Sequence, residues 1–207
     1  MLASTHTREA DVSELIVVRH GETEWSVSGQ HTGTTDIPLT ARGEQQARHL
    51  LDDLGERAFA AVLVSPRQRA RRTAELAGIE EIEVVEDLTE WDYGDLEGRT
   101  TAEYLAEREA AGLGPWELFT DGAPGGEDAA AVGARVDRVL VRVRAELERG
   151  DVLVVGHSHT SRVLVARWLG LGPEHGVGFL IDAAHRGVLT DKRGLPVLQH
   201  WNVPPTS

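Results

Sequence analysis

A chain of 207 residues with 41% hydrophobic content is long enough to bury one substantial core, and none of its apolar runs approaches the roughly 18 residues that span a bilayer. Met1 to Ser13 has neither the cationic start nor the apolar stretch of a secretion signal, so a cytoplasmic protein with no membrane partner is expected. The formal net charge of −13 argues against a nucleic-acid surface, and zero cysteines exclude disulfides, thiolate catalysis, zinc ribbons and iron–sulfur clusters.

Residues 1–13, polar and mixed in charge, read as a flexible leader. The first apolar run, Glu14–Val18, reads as a buried parallel strand that breaks abruptly into Arg19-His20-Gly21. Ligands of open α/β sheets bind at the carboxyl ends of the strands, which is where this arginine and histidine emerge. A guanidinium matches phosphate oxygens bidentately, and glycine permits close backbone approach. With the histidine they point to a phosphoryl-accepting nucleophile; a loop histidine beside an incidental arginine is the alternative that this tripeptide alone leaves open.

Thr40 followed by Glu44 marks a helix start, and Ala47, Leu50, Leu51 and Leu54 recur at helical spacing. A second strand, Ala60–Val64, feeds a helix over Pro66–Ala77, with the proline at a favoured early position and Arg69 in the first turn. The third strand, Ile82–Val85, runs into an aromatic-rich loop that offers Glu90. After a helix over Thr101–Ala111, residues 112–126 are rich in Gly, Pro and aromatics. They read as an excursion over the sheet edge, because Trp116 and Phe119 need packing partners that a linker lacks.

A helix over Asp128–Arg149 precedes the fourth strand, Val152–Val155, which ends in Gly156-His157. The helix expected over Thr160–Trp168 can aim backbone N–H groups at an anion. Weaker strand candidates fall at Gly178–Ile181, Gly187–Leu189 and Val197–His200, and residues 202–207 read as a flexible tail. Strand–helix alternation implies right-handed crossovers, and hence a three-layer α/β/α sandwich with a largely parallel central sheet, as one domain over residues 14–201.

Taken in order, several motifs resemble the histidine phosphatase superfamily, the phosphoglycerate-mutase-like fold, from about residue 14 to about residue 168. They are Arg19-His20-Gly21-Glu22-Thr23-Glu24-Trp25, Thr32-Gly33-Thr34-Thr35-Asp36-Ile37-Pro38-Leu39-Thr40, Ser65-Pro66 with Arg69-Ala70 and Thr73-Ala74, Glu90-Trp91-Asp92-Tyr93-Gly94 with Leu96-Glu97-Gly98, Pro124-Gly125-Gly126-Glu127, and Gly156-His157. The resemblance implies that His20 attacks phosphorus and becomes a phosphohistidine. Arg19, Arg69, His157 and Ser158 would bind the phosphate. Glu90 would protonate the leaving oxygen and then deprotonate the attacking water, with a carboxyl pKa raised by Trp91 and Tyr93. Guanidinium forks neutralise the equatorial oxygens without metal, a covalent intermediate splits one hard step into two, and acid–base help is worth about 10²–10⁴-fold.

Many relatives carry Trp-Asn after the histidine motif and Arg-x-Gln before the glycine, where this chain has Trp25-Ser26 and Gln30 with Thr32. That version is more similar to the acid-phosphatase and sugar-bisphosphatase branch, and the chain lacks the insertion that mutases carry after the catalytic glutamate. The implied activity is a metal-independent, cofactor-free phosphatase of small phosphate monoesters, sugar phosphates or bisphosphates, with phosphoglycerate mutase as the alternative. Thr23, Ser26, His31, Thr32, Gly33 and Tyr93 are the candidate substrate contacts. The partner is a small phosphorylated metabolite, and a homodimer is one option for the assembly. Three rivals fit less. Gly156-His157-Ser158-His159-Thr160 imitates the nucleophile elbow of an α/β-hydrolase but ends in Thr rather than Gly; a metal site on His157 and His159 lacks a carboxylate partner; and a catalytically dead binding module would not keep His20, Arg19, Arg69, Glu90 and His157 together.

Overall fold

The computed structural model describes residues 12–54 and 57–206, so the expected leader lies, apart from Val12 and Ser13, outside the described residues. Six strands form one sheet: β1 (Leu15–Arg19), β2 (Phe59–Val64), β3 (Glu83–Val84), β4 (Asp151–Gly156), β5 (Arg186–Lys192) and β6 (Leu195–Val203), in the order β3-β2-β4-β1-β5-β6. The first four are mutually parallel, while β5 runs antiparallel to β1 and β6 antiparallel to β5.

Strand periodicity decides the layers. Leu15 and Val17 of β1, with Val152 and Val154 of β4, point into one apolar cluster; Ile16 and Val18, with Leu153 and Val155, point into a second on the opposite face. Helices α2 (Ala41–Leu54) and α3 (Gln68–Leu76) cover the second face through Leu50, Leu54, Ala70 and Ala74. Helices α6 (Ala129–Leu147) and α7 (Ser158–Trp168) cover the first through Val132, Val136, Leu140, Val163 and Leu164. The three-layer α/β/α sandwich follows, with β1 and β4 central and their carboxyl ends side by side. Short helices α1 (Glu24–Ser28) and α5 (Leu118–Asp121) and the helix α4 (Thr101–Ala110) decorate that edge. No helix among the described residues is long and apolar enough to cross a membrane.

The excursion over 112–126 packs as expected: Trp116 and Phe119 are buried, and the Phe119 ring meets Trp91 edge-on at 5.3 Å. Four local expectations need correction. Gly178–Ile181 is no strand; the place beside β1 is taken by β5, and the Ile181 carbonyl accepts instead from Arg19. In the segment expected to be a flexible tail, β6 runs to Val203, the Asn202 amide donates to Asp182 and Thr206 donates to Asp53, while residue 207 lies outside the described residues. Pro66 stands outside α3, which starts at Gln68 with its N–H capped by the distant Asp36 carboxylate. Helix α7 begins at Ser158, two residues earlier than its apolar pattern, because its cap comes from outside the segment.

Candidate active site

His20 leaves β1 with its backbone N–H bonded to the Gly156 carbonyl of the neighbouring strand at 3.0 Å. Its Nδ1 lies 2.7 Å from the Gly21 carbonyl. A carbonyl only accepts, so the proton sits on Nδ1 and Nε2 carries a bare lone pair. Burial, then the Arg69 and Arg19 guanidinia, hold its pKa well below the ordinary histidine value. The ring is therefore a neutral nucleophile even in mild acid. Thr73 fixes the turn behind it, accepting from the Gly21 N–H and donating to the Arg69 carbonyl.

Arg19 donates from Nη1 to the Ile181 carbonyl at 2.7 Å, while its Nε is buried without a hydrogen-bond partner. A buried guanidinium N–H left open in this way calls for an acceptor, and an oxyanion supplies one. Arg69 is completely buried and differently employed. Its terminal nitrogens donate to the carbonyls of Thr32 and Thr35, both at 2.9 Å, and its Nε donates to His157 Nδ1 at 3.3 Å. That leaves the His157 proton on Nε2, 2.7 Å from Ser65 Oγ. His157 packs edge-on against His20 with ring centroids 5.2 Å apart, and burial, Arg69 and His20 keep it neutral. Arg69 and His157 thus form a layer packed behind the cavity lining rather than part of it.

Glu90 caps α7. Its Oε1 accepts from the backbone N–H of Trp91 and Thr160, both at 2.9 Å, and its Oε2 accepts from the His159 N–H at 3.0 Å. Burial pulls its pKa up, as the sequence predicts, but His159 and these three donors pull it down by more, and the carboxyl ends below its usual range. His159 is itself pushed down to about 3 by burial. The expectation of a raised carboxyl pKa is corrected: the free site holds Glu90 as a base.

A cavity of about 220 Å³ is lined by Arg19, His20, Glu90 and Ser158 together with Thr23, Ser26, His31, Thr32, Tyr93 and His159. Thr23 and Ser26 form the reciprocal cap of α1, each side chain accepting from the other's backbone N–H. His31 pairs through Nε2 with Thr101 Oγ1 at 3.1 Å and packs on the Tyr93 ring at 4.6 Å. Gly33 lies away from the lining. Its N–H is taken by Glu97, which also holds the Thr35 N–H, and a Cβ there would meet the Trp91 carbonyl at 2.4 Å. The 32–35 loop is thereby strapped by Arg69 on its carbonyls and by Glu97 on its amides. The supporting roles of Glu97, Thr73, Ser65, Thr160 and His159 escaped the sequence reading. Their types and motif positions were visible, but their partners are distant in the chain. Among the described residues no group of three or more His, Asp or Glu side chains is placed to hold a metal.

Residues 15–204 match the family model of the histidine phosphatase superfamily (branch 1). An acid phosphatase of Mycobacterium tuberculosis is 39% identical over 183 residues, covering 87% of this chain and 88% of that protein. A sedoheptulose 1,7-bisphosphatase of Saccharomyces cerevisiae is 38% identical over 187 residues, covering 76% of this chain and 68% of that protein. Among solved structures, the product of an open reading frame of Mycobacterium tuberculosis superposes with a TM-score of 0.86 at 37% identity, over 94% of this chain and 99% of that one. A mycobacterial glucosyl-3-phosphoglycerate phosphatase, solved with VO3, gives 0.81 at 28% identity, over 92% and 99%.

Proposed function

From the premise that this chain belongs to branch 1 of the histidine phosphatase superfamily and is a phosphoric monoester hydrolase, we propose that it cleaves small phosphate monoesters, sugar phosphates and bisphosphates among them, without metal and through a phosphohistidine. The observation that carries this reading is the bare Nε2 of His20, a residue that lines one cavity with Glu90 and with Arg19, whose Nε has no hydrogen-bond partner. Nε2 forms the bond to phosphorus as the ester P–O bond breaks, and Glu90 in its protonated form gives its proton to the departing oxygen. Water then attacks phosphorus, Glu90 takes its proton, and the P–N bond breaks to free phosphate and restore the imidazole.

Arg19 takes non-bridging oxygens directly, joined by Ser158 at the first position of α7. Arg69 joins by turning its Nε–H from His157 Nδ1 to a phosphate oxygen, and His157 joins once its freed Nδ1 takes a proton. The hydroxyls of Ser26 and Thr32, where many relatives carry amides, support a cavity open to water and hence hydrolysis over phosphoryl re-donation. A cytoplasmic location is supported by the cysteine-free composition.

The test is phosphate release from a panel of sugar phosphates, sugar bisphosphates, phosphoglycerates and an aryl phosphate, with and without EDTA. Turnover should persist in EDTA, vanadate should inhibit it, and His20→Ala should lose at least about 10³-fold in kcat with an unchanged thermal midpoint. Activity within tenfold of wild type in a normally folded His20→Ala protein would refute the covalent route, and phosphoglycerate interconversion faster than phosphate release would favour the mutase.

A further inference from the structure

His159 occupies a place that phosphoryl transfer as described does not use. Its ring lines the cavity beside Glu90, with Nδ1 2.7 Å from the Tyr93 hydroxyl and 3.9 Å from Glu90 Oε2, the latter beyond hydrogen-bond range. Tyr93 is 2% exposed, and its hydroxyl has His159 Nδ1 as its partner among the described residues. A buried phenol uses its proton on an acceptor within reach, so Tyr93 donates and Nδ1 accepts. A neutral imidazole accepting at Nδ1 carries its proton at Nε2. That Nε2–H makes no hydrogen bond within the described residues, and the side chain keeps 21% exposure. A donor without a partner among the described residues thus sits on a side chain that lines the cavity with Glu90.

The surrounding wall is neutral and rich in hydroxyls: Thr23, Ser26, Thr32 and Thr101, with His31. Apart from Arg19 no Arg or Lys lines the cavity, and Glu90 adds a negative charge to it. A leaving group carrying a carboxylate or phosphate within two carbons of the ester would meet repulsion here without a second cation in the lining to offset it, a limit that does not extend to the second phosphate at the far end of a sugar bisphosphate. Glu90 and His159 line one cavity, with Oε2 3.9 Å from the ring's Nδ1, so both side chains can meet oxygens of one substrate.

We propose that His159 Nε2–H is a specificity-determining donor that reads an oxygen on the carbon next to the ester, selecting phosphate esters of polyols that carry no charged group within two carbons of that ester; this inference rests on the phosphatase reading above. The matched probes are glycerol 1-phosphate, propyl phosphate, which lacks only the hydroxyls, and 3-phosphoglycerate, which adds a carboxylate. Wild-type protein should favour glycerol 1-phosphate over each of the others by at least about tenfold in kcat/KM. His159→Asn keeps an acceptor for Tyr93 while withdrawing the donor from the Nε2 position, and should bring the glycerol-to-propyl ratio to within about threefold of unity, mainly through KM. His159→Gln, whose amide nitrogen reaches the Nε2 position, should restore part of that ratio. A wild-type ratio near one, a ratio unmoved in His159→Asn, or 3-phosphoglycerate cleaved as fast as glycerol 1-phosphate overturns the proposal. Release of phosphate from 4-nitrophenyl phosphate separates the two levels. Wild-type protein that cleaves this aryl ester but ignores the polyol hydroxyls overturns the inference alone, whereas protein that cleaves no ester removes both readings.

Discussion

Glu90 faces opposite demands in the two halves of the reaction, acid first and base second, and the free site is built for the second. Three backbone N–H groups hold the carboxylate ionised, so the protonated form needed by a poor leaving group is the minor one at neutral pH. For alkyl phosphates kcat/KM should therefore rise as the pH falls, while His20, whose pKa is lowered, stays a competent nucleophile. Bound phosphate brings negative charge beside Glu90 and raises its pKa, so the kcat profile should lie at higher pH than that of kcat/KM. Glu90→Gln should cost alkyl phosphates on the order of 10²–10⁴-fold and flatten this rise. An aryl phosphate, whose leaving group needs no proton, should be slowed far less in the first step, as read from the burst of phenol release. Equal slowing of both esters would take the acid role away from Glu90.

At the scale of elements, the catalytic turn depends on how closely α2 approaches the end of β1. A Cβ on Gly43 would fall 2.1 Å from the Glu22 carbonyl oxygen and 2.8 Å from its nitrogen, and one on Gly21 would fall 2.4 Å from the Gly43 oxygen. Both obstacles are backbone, so neither can swing aside. Gly43→Ala should cost about 1–3 kcal/mol, as overpacking does, visible as a lower urea midpoint, and should cut kcat because Gly21 and Glu22 move with His20. A variant with wild-type midpoint and kcat would show that the turn is free to shift. This pair also marks the limit of what the sequence discloses. Arg19, His20, Arg69 and His157 were legible because each ends an apolar strand or starts the next helix, a local signal. Thr40 as the cap of α2 was legible for the same reason, and its Oγ1 accepts from the Gly43 N–H. Glu97 strapping Gly33, Asp36 capping α3 and Glu90 capping α7 were not, since each joins residues brought together only by the fold. Pattern likewise failed at Gly178–Ile181, where apolar residues serve an irregular segment, and at Asn202 and Val203, which polar and Pro-rich neighbours disguised as a frayed end.

The whole molecule carries the electrostatic consequence of burying the site's histidines. His20 and His157 are held well below the ordinary value of 6.5, and His159 at about 3, chiefly by burial. A histidine whose pKa is depressed by folding binds fewer protons folded than unfolded, so its contribution to stability is intact above pH 6.5 and lost as the pH falls below it. Each such group therefore costs stability progressively as the pH falls below 6.5, and a protein's folding free energy is small enough for such losses to show. Glu90, with its own depressed pKa, adds a loss of the same sign only at lower pH, below the ordinary carboxyl value. The net charge of −13 acts the other way, because self-repulsion eases as carboxylates protonate towards the sequence pI of about 5.1, but that term is diffuse and screened by salt. In 0.3 M salt the thermal midpoint should therefore fall between pH 7.5 and 5.5. Acid then improves the protonation state for alkyl ester cleavage while it weakens the fold that holds the site, and the acid limb of activity should track loss of folded protein in parallel melts rather than titration of His20. A midpoint that is flat or rises over that interval would mean that these histidines are hydrated and titrate normally, and the neutral nucleophile inferred for the acid range would fall with it.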